Sequence, residues 1–389
     1  MASLKFAIFL SGCLCIIFLL SLLSTCGTSN CSNRFSYNND TRQEIRMSSR
    51  QPNFFVDEYN DLSYGSESYQ KYDLFVPDGN DAIHDILLVF VHPGGFVMGD
   101  KEDFVIRQFC KGFTRKGFVT ASVNYRLLTD TGRDLFTMEG IGDVFTPWRR
   151  KSMMGAVVDV QQAIQTIQRE RGFLPERTFV IGYSAGGVIT NHLVFTDEDE
   201  VKNYLDGDNV YHSAFTTSSS DIVAGAVSIS AGLLDEGHID DRDVKDTRLL
   251  LIHGDKDMTV PYGRGRPFDF LHSEDFEIDL PGFYYKLGGS YDGRNWEVVI
   301  GKGISIDRRL LRLLRDIIAN FEMCGSKCIQ ESLTRTSQLE FVTIRNGPHA
   351  LTHNEANGML NQTYNQIFRR MECFFDDCVP HNRRHEDAR

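Results

Sequence analysis

Short apolar runs separated by longer stretches of helical periodicity are what most constrain this chain. Residues 86–91 read Ile-Leu-Leu-Val-Phe-Val, with no polar side chain on either face of an extended strand. A strand with two apolar faces is stable only where helices cover both sides of its sheet. Further strand-like runs lie at 118–124, 177–183, 222–230, 248–253 and 339–345, and helical patterns at 103–116, 154–168, 185–195 and 354–375 alternate with them. Such alternation predicts βαβ units and an α/β domain whose central, mostly parallel sheet is flanked by helices. Residues 69–76 alternate instead and end in Pro77-Asp78-Gly79, which marks an early antiparallel strand and a turn. The 389 residues, 41% of them hydrophobic, suffice for one large domain with insertions.

The flanks point to a compartment. Lys5 precedes an apolar run at 6–23 that is followed by small and polar residues through Ser32, the layout of a secretory signal. The expected organisation is a signal segment over 1–27, a polar leader over 28–50, the main domain over 51–378 with an insertion at 261–338, and a polar tail over 379–389. The run approaches the length of a membrane span, so an uncleaved anchor is the competing expectation. Arg34, Arg42, Arg46 and Arg50 outnumber Lys5 and oppose translocation of the downstream flank. Of nine cysteines, Cys324, Cys328, Cys373 and Cys378 form two close pairs. In an oxidising lumen two disulfides are expected, with three connectivities open. A four-cysteine zinc site is the lesser alternative, and no metal is expected. Cys110 falls in a helical pattern and reads as a buried hydrophobe or a partner of Cys26 or Cys31. A net charge of −12 argues against a nucleic-acid partner, which needs clustered Lys and Arg. A membrane partner is expected only if the N-terminal segment stays as an anchor.

Chemistry concentrates where predicted strands end. Gly182-Tyr183-Ser184-Ala185-Gly186 fits an elbow that lifts a nucleophilic serine on a tight strand-to-helix turn, with flanking glycines for close backbone passage. The pentapeptide is common by chance, but a β-rich run enters it and a helix former leaves it. His92-Pro93-Gly94-Gly95-Phe96 follows the first buried strand and suits a loop of backbone donors for a developing oxyanion. Pro93 has no N–H, so the expected donors are the amides of Gly94, Gly95 and Ala185, while His92 fixes the loop. A serine hydroxyl needs a base. Among eleven histidines, His349, after Asn346-Gly347-Pro348 and the last strand, is the expected one. His353 is its rival, and His192 is expected to pack in a helix. The orienting acid is sought in His253-Gly254-Asp255-Lys256-Asp257 after another strand, with Asp255 and Asp235 as alternatives.

On these residues the chain resembles secreted carboxylesterases and lipase-like serine esterases of the α/β-hydrolase superfamily, over about residues 68–372. Asp257 matches the acid of the Gly-x-x-Asp-x-x-Val-Pro pattern found in esterases and in prolyl-oligopeptidase-type peptidases, and Asn124-Tyr125-Arg126 is similar to a structural triplet of many esterases. The resemblance implies the α/β-hydrolase fold, a Ser184–His349–Asp257 triad in the usual chain order, hydrolysis of a small-molecule or polymer-linked ester through an acyl-enzyme, and no cofactor. Pro93 and the long insertion between acid and base depart from the compact pattern. A serine peptidase or amidase of the same fold is the nearest alternative, and a catalytically silent binding module is a more distant one.

Overall fold

A computed structural model of the chain describes residues 54–78, 85–96, 98–127, 147–197, 199, 201, 221–234, 236–241, 244, 247–267, 285–291, 294–300, 322–334, 338–353 and 359–378. The signal segment, the leader and the tail expected at 1–50 and 379–389 lie outside them, as does Asp235. Among the described residues no helix is long and apolar enough to cross a membrane.

In chain order the elements are β1 (Val56–Ser63), β2 (Lys71–Pro77), β3 (Leu87–Val91), α1 (Phe104–Arg115), β4 (Val119–Val123), α2 (Pro147–Arg171), β5 (Thr178–Tyr183), α3 (Ala185–Phe195), β6 (Gly225–Ile229), β7 (Gly232–Leu233) and β8 (Arg248–Gly254). There follow β9 (Arg264–Gly265), β10 (Tyr285–Tyr291), β11 (Arg294–Ile300), β12 (Met323–Gly325), α4 (Ser326–Ser332), β13 (Leu339–Ile344) and α5 (Gln362–Cys378). Eight strands form the central sheet in the order β1-β2-β4-β3-β5-β6-β8-β13. The β1–β2 and β2–β4 pairings are antiparallel, and every pairing from β4 to β13 is parallel.

The pleat divides the apolar runs between two cores. Leu87, Val89 and Val91 of β3 face the layer of α2 and α3, where Val157, Val160, Ile164, Val188 and Ile189 are buried. Leu88 and Phe90 face the layer of α1 and α5, with Phe109, Phe113, Met371, Phe374 and Phe375. Both faces of the sheet are therefore covered, which is why β3 carries no polar side chain. The one main strand not anticipated, β1, exposes six of its eight residues, among them Asp57, Glu58, Asn60 and Asp61. A charged edge is what protects a sheet from pairing with another chain, and that polarity conceals the strand. Arg107 of α1 ties it down, bonding Glu58 at 2.5 Å and Asp73 at 2.8 Å. Helix α5 begins later than its periodicity suggests, because Asn361 Oδ1 accepts from the Tyr364 amide at 3.0 Å and caps the first turn.

The insertion has a paired neck. β12 runs antiparallel to β9, with Met323 opposite Gly265, and to β7, with Gly325 opposite Gly232, so the excursion leaves and returns at one place. Within it β10 and β11 form an antiparallel hairpin. A Cys324–Cys328 disulfide joins β12 to α4. Cys373 and Cys378 both lie in α5, and the side chain of Cys378 falls outside the described residues. Cys110 is buried on α1, as a small hydrophobe would be.

Candidate active site

Ser184 stands between β5 and α3 with φ 55° and ψ −118°, a backbone conformation that L-residues adopt only under constraint. Its N–H donates to Ile229 O at 2.9 Å and its carbonyl accepts from Val188 N at 2.9 Å. A Cβ on Gly182 would lie 2.1 Å from Gly186 O, and one on Gly186 would lie 2.2 Å from Val91 O and 2.8 Å from His92 O. Those contacts are with backbone, which cannot give way, so both positions require glycine. They also seat the loop that begins at His92 against the first turn of α3.

Three of the expected residues meet in one hydrogen-bonded line. His349 Nε2 is 2.9 Å from Ser184 Oγ, and His349 Nδ1 is 2.8 Å from Asp257 Oδ2. Asp257 is buried, and its Oδ1 accepts from the amides of Thr259 at 2.8 Å and Val260 at 2.9 Å. Burial by itself would raise its pKa, but the imidazoles of His349 and His253 outweigh it and hold the carboxyl well below the usual range. Asp255 instead donates its amide to Ile344 O, and among the described residues its carboxylate meets neither imidazole. His353 pairs with Thr352 Oγ1 at 3.2 Å rather than with Ser184. His192 is buried in α3 between Thr196 Oγ1 at 2.9 Å and the Leu234 amide at 3.3 Å, and burial draws its pKa down to about 3.

The glycine loop is fixed at both ends by the triplet after β4. Tyr125 donates to His92 O at 3.1 Å and stacks on the His92 ring at 4.3 Å, while Asn124 Oδ1 accepts from Lys101 N at 2.6 Å. Arg126 grips the buried Asp159 of α2 through Nε at 2.6 Å and Nη2 at 2.7 Å. His92 donates from Nδ1 to Pro93 O at 2.7 Å, and burial brings its pKa to about 4, so it is a neutral brace. Gly94, Gly95 and Phe96 have φ of 130°, 60° and 66°, a succession of left-handed residues that curls the loop. Ala185, as the first residue of α3, has an amide with no intrahelical acceptor.

Three contributors escaped sequence reasoning. Tyr183, the variable residue of the elbow, donates to His349 O at 2.9 Å and accepts from Leu351 N at 3.0 Å. Ser230, just past β6 with φ 50°, donates to the same His349 carbonyl at 3.1 Å. His253 Nε2 lies 3.1 Å from Asp257 Oδ2. A histidine four residues before the expected acid was a readable signal for the last. Nothing local announces the other two. Glu236, Cys324 and Cys328 bring their ligand atoms within 4.8 Å of one another, but the two sulfurs are bonded to each other and offer no thiolate for a metal.

The BD-FAE family model matches residues 72–134, which span β2 to the glycine loop and the Asn124-Tyr125-Arg126 triplet. No curated protein matches the chain. Similar solved structures include esterase 2 of Thermogutta terrifontis phosphorylated by paraoxon, 16% identical, covering 86% of this chain and 97% of that one with a TM-score of 0.45. They also include its apo form, 16% identical over 86% of this chain and 100% of that one with a TM-score of 0.46. The propionate-bound form of the Thermogutta terrifontis esterase Est2 is 16% identical over 84% and 95%, with a TM-score of 0.46. The mostly parallel sheet between two helical layers, with a serine on its strand-to-helix elbow, has the α/β-hydrolase fold, and residues 72–134 are similar to the BD-FAE family.

Proposed function

We propose that the chain is a serine hydrolase that cleaves carboxylic esters through an acyl-enzyme, with Ser184 as nucleophile, His349 as base and Asp257 as orienting acid. The observation that carries this is the line from Ser184 Oγ through both nitrogens of His349 to a buried carboxylate, 2.9 and 2.8 Å long. His349 Nε2 takes the hydroxyl proton as Ser184 Oγ bonds to the ester carbonyl carbon, and Asp257 holds Nδ1–H and stabilises the imidazolium without taking its proton. The carbonyl oxygen becomes an oxyanion, for which the amides of Gly94, Gly95 and Ala185 are the donors, each worth about 3 kcal/mol. The positive end of α3 favours the same charge. The alcohol leaves with the proton from Nε2, and water repeats the sequence to release the acid and restore Ser184.

Labelling with a fluorophosphonate tests the nucleophile: the wild type reacts and Ser184→Ala does not. A panel of p-nitrophenyl esters of graded chain length beside peptide amides tests the bond cleaved. Turnover of amides alone overturns the esterase assignment. The same proposal places the protein in the secretory lumen or outside the cell, which the Cys324–Cys328 disulfide supports. N-terminal sequencing of protein recovered from the medium checks it, with a start near residue 28 expected.

A further inference from the structure

The proposed mechanism uses one imidazole on Asp257, yet the carboxylate has two. Its four acceptor positions are filled by the amides of Thr259 and Val260 on Oδ1 and by His349 Nδ1 and His253 Nε2 on Oδ2. His253, the penultimate residue of β8, is fully buried, and its ring is fixed on each side. Nε2 faces Asp257 Oδ2 at 3.1 Å and Val260 O at 3.3 Å, both acceptors only, so it carries a proton. Nδ1 lies 2.8 Å from Ser326 Oγ, which also reaches Ala231 O at 3.1 Å. The Tyr262 ring stands edge-on at 5.7 Å. Ser326 is buried and sits inside the small loop closed by the Cys324–Cys328 disulfide, at the neck of the insertion.

We propose that His253 is a positioning residue for ester hydrolysis: its Nε2–H shares Asp257 Oδ2 with His349, and Ser326, carried by the disulfide-closed neck, sets the ring that does so. This rests on Asp257 serving as the acid. A second donor on Oδ2 draws electron density from that oxygen and so tempers the pull of the carboxylate on the His349 N–H. Removing it leaves Oδ2 more basic, favours the protonated imidazole and takes the base out of use at a higher pH. The titratable groups facing His253 are Asp257 and Tyr262, with His349 beyond the carboxylate. The Tyr262 hydroxyl is engaged by Thr343 Oγ1 at 2.6 Å, and Lys327 Nζ lies 6.0 Å from the Tyr262 ring.

The test compares His253→Leu, which removes the donor, His253→Gln, which keeps an N–H near the place of Nε2, and Ser326→Ala, which frees the ring. kcat and KM on p-nitrophenyl acetate are measured across pH and normalised to sites labelled by fluorophosphonate. His253→Leu is expected to lower kcat about 10- to 100-fold at nearly constant KM and to move the acidic limb of the profile upward by roughly half a pH unit or more. His253→Gln recovers most of both, and Ser326→Ala shifts both in the same direction by less. An unmoved limb and unchanged kcat per labelled site in His253→Leu overturn the proposal. If that variant yields no folded protein, the same result in Ser326→Ala overturns it. Hydrolysis by Ser184→Ala would be a separate failure, that of the mechanism on which this inference rests.

Discussion

The loop bearing His349 is held by two hydroxyls on one carbonyl, and that sharing has a measurable signature. Tyr183 and Ser230 both donate to His349 O, at 2.9 and 3.1 Å, from strand ends on neighbouring β5 and β6. Burial pushes the Tyr183 phenol far above its ordinary pKa, so it remains a donor throughout the working range. Ser230→Ala removes one of the two hydroxyl bonds and leaves the carbonyl satisfied by Tyr183 and by the Leu351 amide, which should cost about 1 kcal/mol. Tyr183→Phe removes the bond to the carbonyl and the acceptor it offers the Leu351 amide, which keeps its bond to His349 O at 3.0 Å, and should cost about 1 to 2 kcal/mol. In the double variant the carbonyl loses both hydroxyls and is left with the Leu351 amide two residues on, adding a penalty neither single change incurs, about 1 kcal/mol. Urea unfolding of the four proteins gives the coupling energy, and kcat on a p-nitrophenyl ester reports whether His349 stays aligned with Ser184. A kcat loss approaching 100-fold in the double variant is expected if the imidazole moves by about 1 Å. Additivity within about 0.5 kcal/mol, with kcat unchanged, would refute the shared-acceptor account.

Three further outcomes are expected. Gly186→Ala drives a methyl into the Val91 and His92 carbonyls and should cost on the order of 3 kcal/mol, read as a drop in urea midpoint together with lost fluorophosphonate labelling. His92 and His192 are held neutral by burial, with pKa values near 4 and 3. Below about pH 6.5 the unfolded chain binds protons that the folded one refuses, so stability falls on acidification by about 2 kcal/mol per histidine by pH 5. A urea series at pH 7, 6 and 5 should show that slope, and Asp257, held ionised in the fold, extends the loss below pH 4. Reducing Cys324–Cys328 opens a loop of about five residues, which chain entropy values at about 2 kcal/mol. Thermal unfolding with and without a reductant should register the difference.

Features carried by adjacent residues were legible in the sequence, and those carried across the sheet were not. A continuous apolar run can be a strand only between two layers, so β3, β5, β6 and β8 and the ends that position Ser184, Asp257 and His349 followed from local pattern. The choice of Asp257 over Asp255 came from a motif, and in space it corresponds to a turn in which the Thr259 and Val260 amides face back onto Oδ1. Tyr183 and Ser230 act on a residue 166 and 119 positions away, which no window can register. β1 was hidden by its charge, and the neck strands β7, β9 and β12, of two or three residues each, are too short for a periodicity.

The paired neck also bears on how such a chain can diversify. Because Arg264–Gly265 and Met323–Gly325 are zipped together, the ends of the excursion are fixed beside one another whatever the chain between them does. Lengthening or shortening a loop whose ends are already joined changes its closure entropy only with the logarithm of its length. The interval between Asp257 and His349 can therefore behave as an exchangeable cassette. Its contents are open to selection for new substrates, while the two residues it separates keep their 2.8 Å contact.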